Sequence, residues 1–324
     1  MAVDFCGLEL EHPIVNGSGT FDAIAARRVF GDELLARFPF SAFVSKTVTL
    51  APRQGNPPPR LWELPAGLMN SIGLPNKGLA GYLAHDLPEL AGLPVPLIVN
   101  VMGFSRDEVA ELVEAFSVRE EVAALELNVS CPNVETGLVM GADPDEVARL
   151  LRAVVGLTDK PLIVKLTPNA SEVPAVAAAA QAEGASAVSL INTLKGMALD
   201  PGSGEPWLGG QTGGVSGPAV RAIALAQVYA VSEAVSIPVI AMGGVQRGRH
   251  AQAFLKAGAT LVAVGTESFR DPLAGSRVAA ELAALNSNTR NPVRGAAIRP
   301  GDVWSNDQRH SAKARRADKR PCKR

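Results

Sequence analysis

Eight short apolar runs, each followed by a polar or glycine-rich stretch, limit most strongly what this chain can become. In order they are PIVNG (13–17), AFVSK (42–46), LIVNV (97–101), ALELN (124–128), PLIVK (161–165), AVSLI (187–191), IPVIA (237–241) and TLVAV (260–264). Each is apolar along nearly its whole length, as strands are when both faces are covered. Helix-forming segments fall between them at 105–118, 143–156, 171–184, 217–235 and 248–258, and a last amphipathic helix is expected over 271–285. In the first, Val109, Leu112, Val113 and Phe116 make a one-sided stripe, and Asp107 and Glu108 suit the helix dipole. Asp143 and Pro144 make a cap and first turn for the second. Eight strands alternating with helices give an α/β chain, a (β/α)8 TIM barrel with extended loops at its C-terminal face. A doubly wound sheet is the competing fold, but no G-x-G-x-x-G follows an early strand.

The segment 47–93 is longer than a plain βα connection. Its PRQGNPPPRLWELPAGLMNSIGLPNKG is rich in Pro and Gly and reads as an ordered excursion over one end of the barrel, and long ordered loops are usually functional. SCPNVETGLVMGAD and the stretch 192–217 are smaller excursions of the same kind.

Barrel chemistry gathers at the C-terminal strand ends. Ser18 follows the first run, Lys46 and Thr47 the second, and Asn100 lies in the third. Asn128, Ser130, Cys131 and Asn133 follow the fourth, and Lys165 closes the fifth. Asn192 and Thr193 follow the sixth, Gly243 and Gly244 the seventh, Gly265 and Thr266 the eighth. Two lysines and several amides, with no convergent carboxylates, describe a site for an anionic, amide-rich ligand. No His, Cys and Asp cluster has metal-ligand spacing, so no metal is expected. The glycines after the last two strands suit a phosphate cradle, because backbone N–H groups can approach an anion there. Each lysine at the end of a buried strand costs desolvation unless an anion or polar ligand meets it.

Cys131 has two readings. A single thiol beside a strand is commonly a small buried residue. Yet none of His12, His85, His250 and His310 sits at a suitable strand end, so Cys131 is the best proton acceptor available, its pKa open to tuning by nearby donors or cations.

With these residues in view, the chain resembles the class 1 dihydroorotate dehydrogenases. The resemblance spans about residues 3 to 275. It rests on VSKTVT (44–49), GNPPPR (55–60), GLMNSIGLPNKG (67–78), LELNVSCPNV (125–134), VKLTPN (164–169), INT (191–193), GGVSGPA (213–219), MGGV (242–245) and AVGTESF (263–269). It implies FMN at the barrel mouth, held by Ser18, Lys46, Thr47, Asn100, Asn128, Lys165, Ile191, Gly217, Gly243, Gly244, Gly265 and Thr266. It also implies that dihydroorotate meets Lys46, Asn70, Ser71, Ile72, Gly73, Leu74, Asn128, Asn133, Asn192 and Thr193, with Cys131 as catalytic base beside Lys46. The membrane-bound class 2 enzymes carry serine in place of that cysteine. The wording is closer to class 1B, whose members pair with a second subunit carrying FAD and a [2Fe-2S] cluster and reduce NAD; class 1A members are fumarate-using homodimers. A homodimer, or a heterotetramer with such an electron-transfer subunit, is the expected assembly. A related dihydropyrimidine oxidoreductase is the rival within flavin enzymes.

Three cysteines in 324 residues are too few and too far apart for a disulfide framework. No signal peptide or membrane span is read, and a cytoplasmic location is expected. Charge divides the chain. Residues 286–324 hold 11 Lys and Arg against 3 Asp and Glu, net +8, whereas the preceding 285 residues hold 20 against 29, net −9. A single FMN-binding barrel domain is therefore expected over 1–285 and a basic, disordered tail over 286–324. A tail-centred nucleic-acid role is the third reading and the less favoured one.

Overall fold

The computed structural model describes residues 2–130 and 140–290. Eight parallel strands form one sheet: β1 (Ile14–Asn16), β2 (Phe43–Val44), β3 (Leu97–Val101), β4 (Val122–Asn128), β5 (Leu162–Lys165), β6 (Ala187–Leu190), β7 (Val239–Met242) and β8 (Leu261–Val264). The sheet order is β1-β8-β7-β6-β5-β4-β3-β2. The seam between β1 and β2 is closed partly by a side chain. The Asn16 amide accepts from the Val44 N–H at 2.8 Å and donates to the Val44 carbonyl at 2.8 Å, as a neighbouring peptide would. The Ser41 N–H adds a bond to the Ile14 carbonyl at 3.0 Å. The fold is the (β/α)8 barrel that the periodicity predicts.

Strand alternation sorts the side chains. Val99, Leu125, Leu127, Val164, Val188 and Val262 face outward and pack under the helices. Val15, Val44, Ile98, Ala124, Ile163, Ala187, Ile240 and Leu261 face inward and fill the lower half of the barrel with Phe5 and Leu10. Those two come from an antiparallel hairpin, Val3–Phe5 with Leu8–Leu10, that plugs the N-terminal end. Its two-residue turn sets Cys6 at φ 52° and Gly7 at φ 81°, the positive pair that a type I′ connection needs.

The surrounding helices are Ala23–Phe30, Arg106–Ser117, Pro144–Val154, Val173–Ala182, Arg221–Ala234, Gly248–Lys256 and Ala274–Arg290. The Ser105 hydroxyl caps Arg106–Ser117 by accepting from the Glu108 N–H, and Asp143 caps Pro144–Val154 through the Asp145 N–H. The helix expected over 217–235 starts later. Gly217 sits at φ +90°, outside the helical region, and a 3-10 turn, Pro218–Val220, precedes the helix proper. The last helix runs past Leu285 to Arg290.

The long excursions are partly strand. Leu61–Leu64, Gly67–Asn70, Leu194–Met197 and Thr212–Ser216 form a four-stranded antiparallel sheet. The Trp62 and Trp207 rings meet edge to face, 5.0 Å apart, beneath it. Gly67 permits a close backbone approach: a Cβ there would lie 2.0 Å from the Ser216 carbonyl oxygen. This sheet joins two excursions far apart in sequence and roofs one side of the C-terminal mouth.

Candidate active site

Inward positions change character one step up each strand. Ile98 is followed by Asn100, Ala124 by Glu126 and Asn128, Ile163 by Lys165, and Ala187 by Ser189. All five polar side chains are buried. Glu126 organises them. One carboxylate oxygen accepts from Asn100 Nδ2 and lies 3.7 Å from Lys165 Nζ. The other accepts from Ser189 Oγ at 2.7 Å. Lys165 donates in turn to Ser18 Oγ at 2.6 Å. The buried ammonium thus meets a buried carboxylate, the condition under which charges are tolerated inside a protein.

No convergent carboxylates are expected at the mouth from the sequence, and the structure adds one, Glu126, in the buried layer beneath it. Its signal was present in ALELN, where a charged residue interrupts a buried strand at the inward phase of Ala124 and Asn128. The two lysines also part company. Strand β2 ends at Val44, so Lys46 lies beyond the strand, and its side chain is exposed, with no hydrogen-bond or ion-pair partner among the described residues. The desolvation argument made for both lysines therefore holds for Lys165 and fails for Lys46.

The fourth and sixth strand ends are tied together just ahead of the cysteine. The Ser130 N–H donates to Asn128 Oδ1 at 3.4 Å, and Asn192 Nδ2 donates to Ser130 Oγ at 2.9 Å. The Leu190–Ile191 peptide beside them is cis. Cys131 and Asn133 lie outside the described residues. Across the mouth, Asn70 Nδ2 donates to the Gly214 carbonyl at 3.3 Å, and Thr193 Oγ1 stands where a Cβ on Gly214 would sit, 1.9 Å away. Ser71 is held by Asn56 Nδ2 at 2.8 Å. Gly73 and Leu74 adopt positive φ, 75° and 55°, which turns Ile72–Leu74 sharply beside Asn56. Asn70, Ser71, Asn128, Asn192 and Thr193 thus come from the sheet roof and two strand ends that flank one opening.

The remaining residues group on the other side. Gly217, Gly244 and Thr266 line a cleft of about 490 Å³ beside the hairpin turn at 64–68. Thr266 Oγ1 donates to Ser216 Oγ at 2.9 Å. Gly243 and Gly244 turn at φ 138° and 68°, conformations that L side chains rarely adopt. Gly17 and Gly265 continue the inward phase of Val15 and Ala263, and a Cβ on Gly265 would touch only Thr20, at 3.6 Å. Packing does not demand glycine at 265; its absence of a side chain keeps the mouth open.

These residues suit a flavin nucleotide in the chemistry of their donors. Asn100 is fully buried, yet its Oδ1 has no partner among the described residues, an acceptor awaiting a donor from the mouth. The buried amides and Lys165 match a ring edge of carbonyl and imide groups, and the glycine turns match a phosphate. Among the described residues, no three His, Cys, Asp or Glu side chains gather as a metal site, and no helix is long and apolar enough to cross a membrane.

A (β/α)8 barrel with a buried amide–ammonium layer on one side of its mouth and glycine turns on the other defines a barrel enzyme built for an organic, phosphate-bearing cofactor. The family model for dihydroorotate dehydrogenase matches residues 1–285. A Bacillus pumilus protein described as dihydroorotate dehydrogenase B (NAD(+)), catalytic subunit, is 44% identical over 284 residues, which is 86% of this chain and 89% of its own length. The proteins so described from Anoxybacillus flavithermus and Pelobacter propionicus are 44% and 45% identical. They cover 88% and 86% of this chain and 90% and 91% of their own. The chain belongs to the dihydroorotate dehydrogenase family, as its motifs suggest, and is an oxidoreductase of the CH–CH type that converts dihydroorotate to orotate with FMN.

Proposed function

We propose that this chain is the FMN-bearing catalytic subunit of an NAD-linked, class 1B dihydroorotate dehydrogenase, with Cys131 as its catalytic base. The observation that carries the reading is the buried Glu126–Lys165–Asn100 layer directly below the strand end that leads into Cys131. Relatives named as NAD(+)-linked catalytic subunits support the choice of acceptor. Bound FMN supplies the hydride acceptor. Ser18, Lys46, Thr47, Asn100, Asn128, Lys165 and Ile191 would hold its body, and the later glycines, with Gly217 and Thr266, would hold its phosphate.

The protein then has three tasks. Asn70, Ser71, Ile72, Gly73 and Leu74 on the roof, with Asn128, Asn192 and Thr193 on the strand ends and Asn133 by its motif, would fix the pyrimidine amides and carboxylate without adding charge. Lys46, exposed and without an ion-pair partner among the described residues, supplies a positive charge for the substrate carboxylate. Cys131, as thiolate, takes the proton from C5, and the C6 hydride leaves for the flavin. The bonds from Asn128 and Asn192 to Ser130 anchor the chain one residue before that thiol. Onward transfer to NAD requires a partner subunit bearing FAD and a [2Fe-2S] cluster, because three scattered cysteines cannot ligate one here.

Anaerobic mixing of the FMN-loaded chain with dihydroorotate tests the half-reaction. Bleaching of the flavin band at about 450 nm is expected; bound flavin that stays oxidised rejects the substrate. Cys131→Ala should retain FMN and slow the bleaching by about 10²–10⁴-fold near neutral pH. Equal rates in variant and wild type reject the base assignment.

A further inference from the structure

The turn that follows β7 is gripped from outside the barrel by side chains that the reaction does not use. The Gly244 carbonyl accepts from Arg221 Nη1 at 3.0 Å. The Gln246 N–H donates to His250 Nδ1 at 3.2 Å, and Arg221 Nη1 lies 3.2 Å from the same nitrogen. On the far side, the Gln246 carbonyl accepts from Arg277 Nη1 at 2.8 Å, and the Gly248 N–H donates to Glu281 at 2.7 Å.

A peptide N–H and a guanidinium can only donate. His250 Nδ1 must therefore carry a lone pair, the state of a neutral ring; Arg249 Nε, 3.4 Å from Nε2, is a further donor facing it. Every nearby feature but one favours that state. Arg221 reaches it from the preceding helix, Arg247 and Arg249 flank it in sequence, and it lies in the first turn of Gly248–Lys256, where the dipole disfavours a cation. Only Glu281, from the last helix, opposes them. Burial first, and then the three arginines, hold the imidazole down to about 4.

We propose that His250 is a positioning residue for cofactor binding: its unprotonated Nδ1 ties the Gln246 amide to Arg221 and so fixes the Gly243–Gly244 turn in the shape that receives the flavin phosphate. The inference rests on the assignment of that turn to the FMN phosphate. A proton on Nδ1 would set one donor against two others and release both bonds.

The test titrates the full, flavin-depleted chain with FMN and with riboflavin, which lacks the phosphate, and follows quenching of flavin fluorescence. Wild type should prefer FMN. His250→Ala should weaken FMN about tenfold while riboflavin changes less than about twofold. His250→Asn places an oxygen near the position of Nδ1 and should recover most of the loss. His250→Gln, whose oxygen reaches the Nε2 position, should not. Lowering the pH from 6.5 towards 4 should weaken FMN binding to wild type more than to the Asn variant, the loss common to both coming from protonation of the flavin phosphate, whose second pKa is about 6. Unchanged FMN affinity in the Ala variant, equal losses for both flavins, or equal rescue by Gln and Asn would each overturn the proposal. A wild type that binds both flavins equally would instead remove the phosphate assignment beneath it.

Discussion

The lower and upper halves of the barrel interior are built from the same strands, yet one is a seal and the other a site. Below, Ile98, Ala124, Ile163 and Ala187 form one apolar cluster with Phe5 and Leu10. Two residues further along the same strands stand Asn100, Glu126, Lys165 and Ser189, equally buried and joined by hydrogen bonds. Backbone geometry is common to both layers, so it cannot be what makes the upper one functional. The difference lies in side-chain chemistry one pleat apart. The lower layer gains from burying hydrocarbon, whereas the upper layer holds two desolvated charges whose contribution to stability depends on each having the other.

The largest effects should come from turning the upper layer into a copy of the lower one. Lys165→Met alone leaves the Glu126 carboxylate buried without its cation and should cost about 3–5 kcal/mol of unfolding free energy. Pairing it with Glu126→Leu removes the stranded charge, and the double variant should return to within about 1–2 kcal/mol of wild type. Flavin binding should not return with stability, because the ammonium that the ring would meet is gone. Urea unfolding and flavin titration on the three variants separate these outcomes. A double variant that binds FMN as wild type does would show that the upper layer is structural after all.

The reciprocal change belongs in the seal. Ile163 lies two residues before Lys165 on β5 and is fully buried. Ile163→Ala should lower stability by about 2–4 kcal/mol through lost burial and the cavity left behind. Flavin affinity and turnover per folded molecule should stay within about twofold, since no contact of the upper layer is removed. A tenfold loss of affinity without unfolding would mean that the two layers are mechanically coupled and that the contrast drawn between them is too sharp.

How far this division could be read from sequence follows from the distances involved. The eight strands were legible because their apolar runs are local and repeated, and the strand ends followed from barrel geometry. Glu126 was legible only in principle. Its phase within ALELN points inward, but nothing in the strand says that Lys165, on the next strand, waits opposite; that pairing depends on register, which sets Asn128 beside Lys165. The roof was less legible still. GLMN and TGGVS are short and glycine-rich, with little of the alternation that marks a strand, and they pair only because two excursions far apart in sequence meet over the mouth. Asn16 is illegible in the sequence, because an amide that stands in for a peptide at a barrel seam has no sequence signature. The exposure of Lys46 was misjudged by the short distance between Val44, where β2 ends, and the lysine that follows.

The smallest effects should come from Cys6, at the sealed end. Its thiol is half-buried at the hairpin turn, donates to the Ser186 carbonyl at 3.4 Å, and is pushed up to about 11 by burial and by Asp4. At pH 8 only about one molecule in a thousand would carry a thiolate there, so alkylation should be slow. Because the folded value lies above the unfolded one, the thiol's contribution to stability is whole below about pH 9 and fades as pH rises through 11. Cys6→Ser should abolish that alkaline loss and leave turnover unchanged. If maleimide inactivates the wild-type enzyme at pH 8, the Cys6→Ser variant should be inactivated at the same rate, with dihydroorotate protecting both. Inactivation that disappears with Cys6 would place reactive chemistry at the wrong end of the barrel and break the distinction between seal and site.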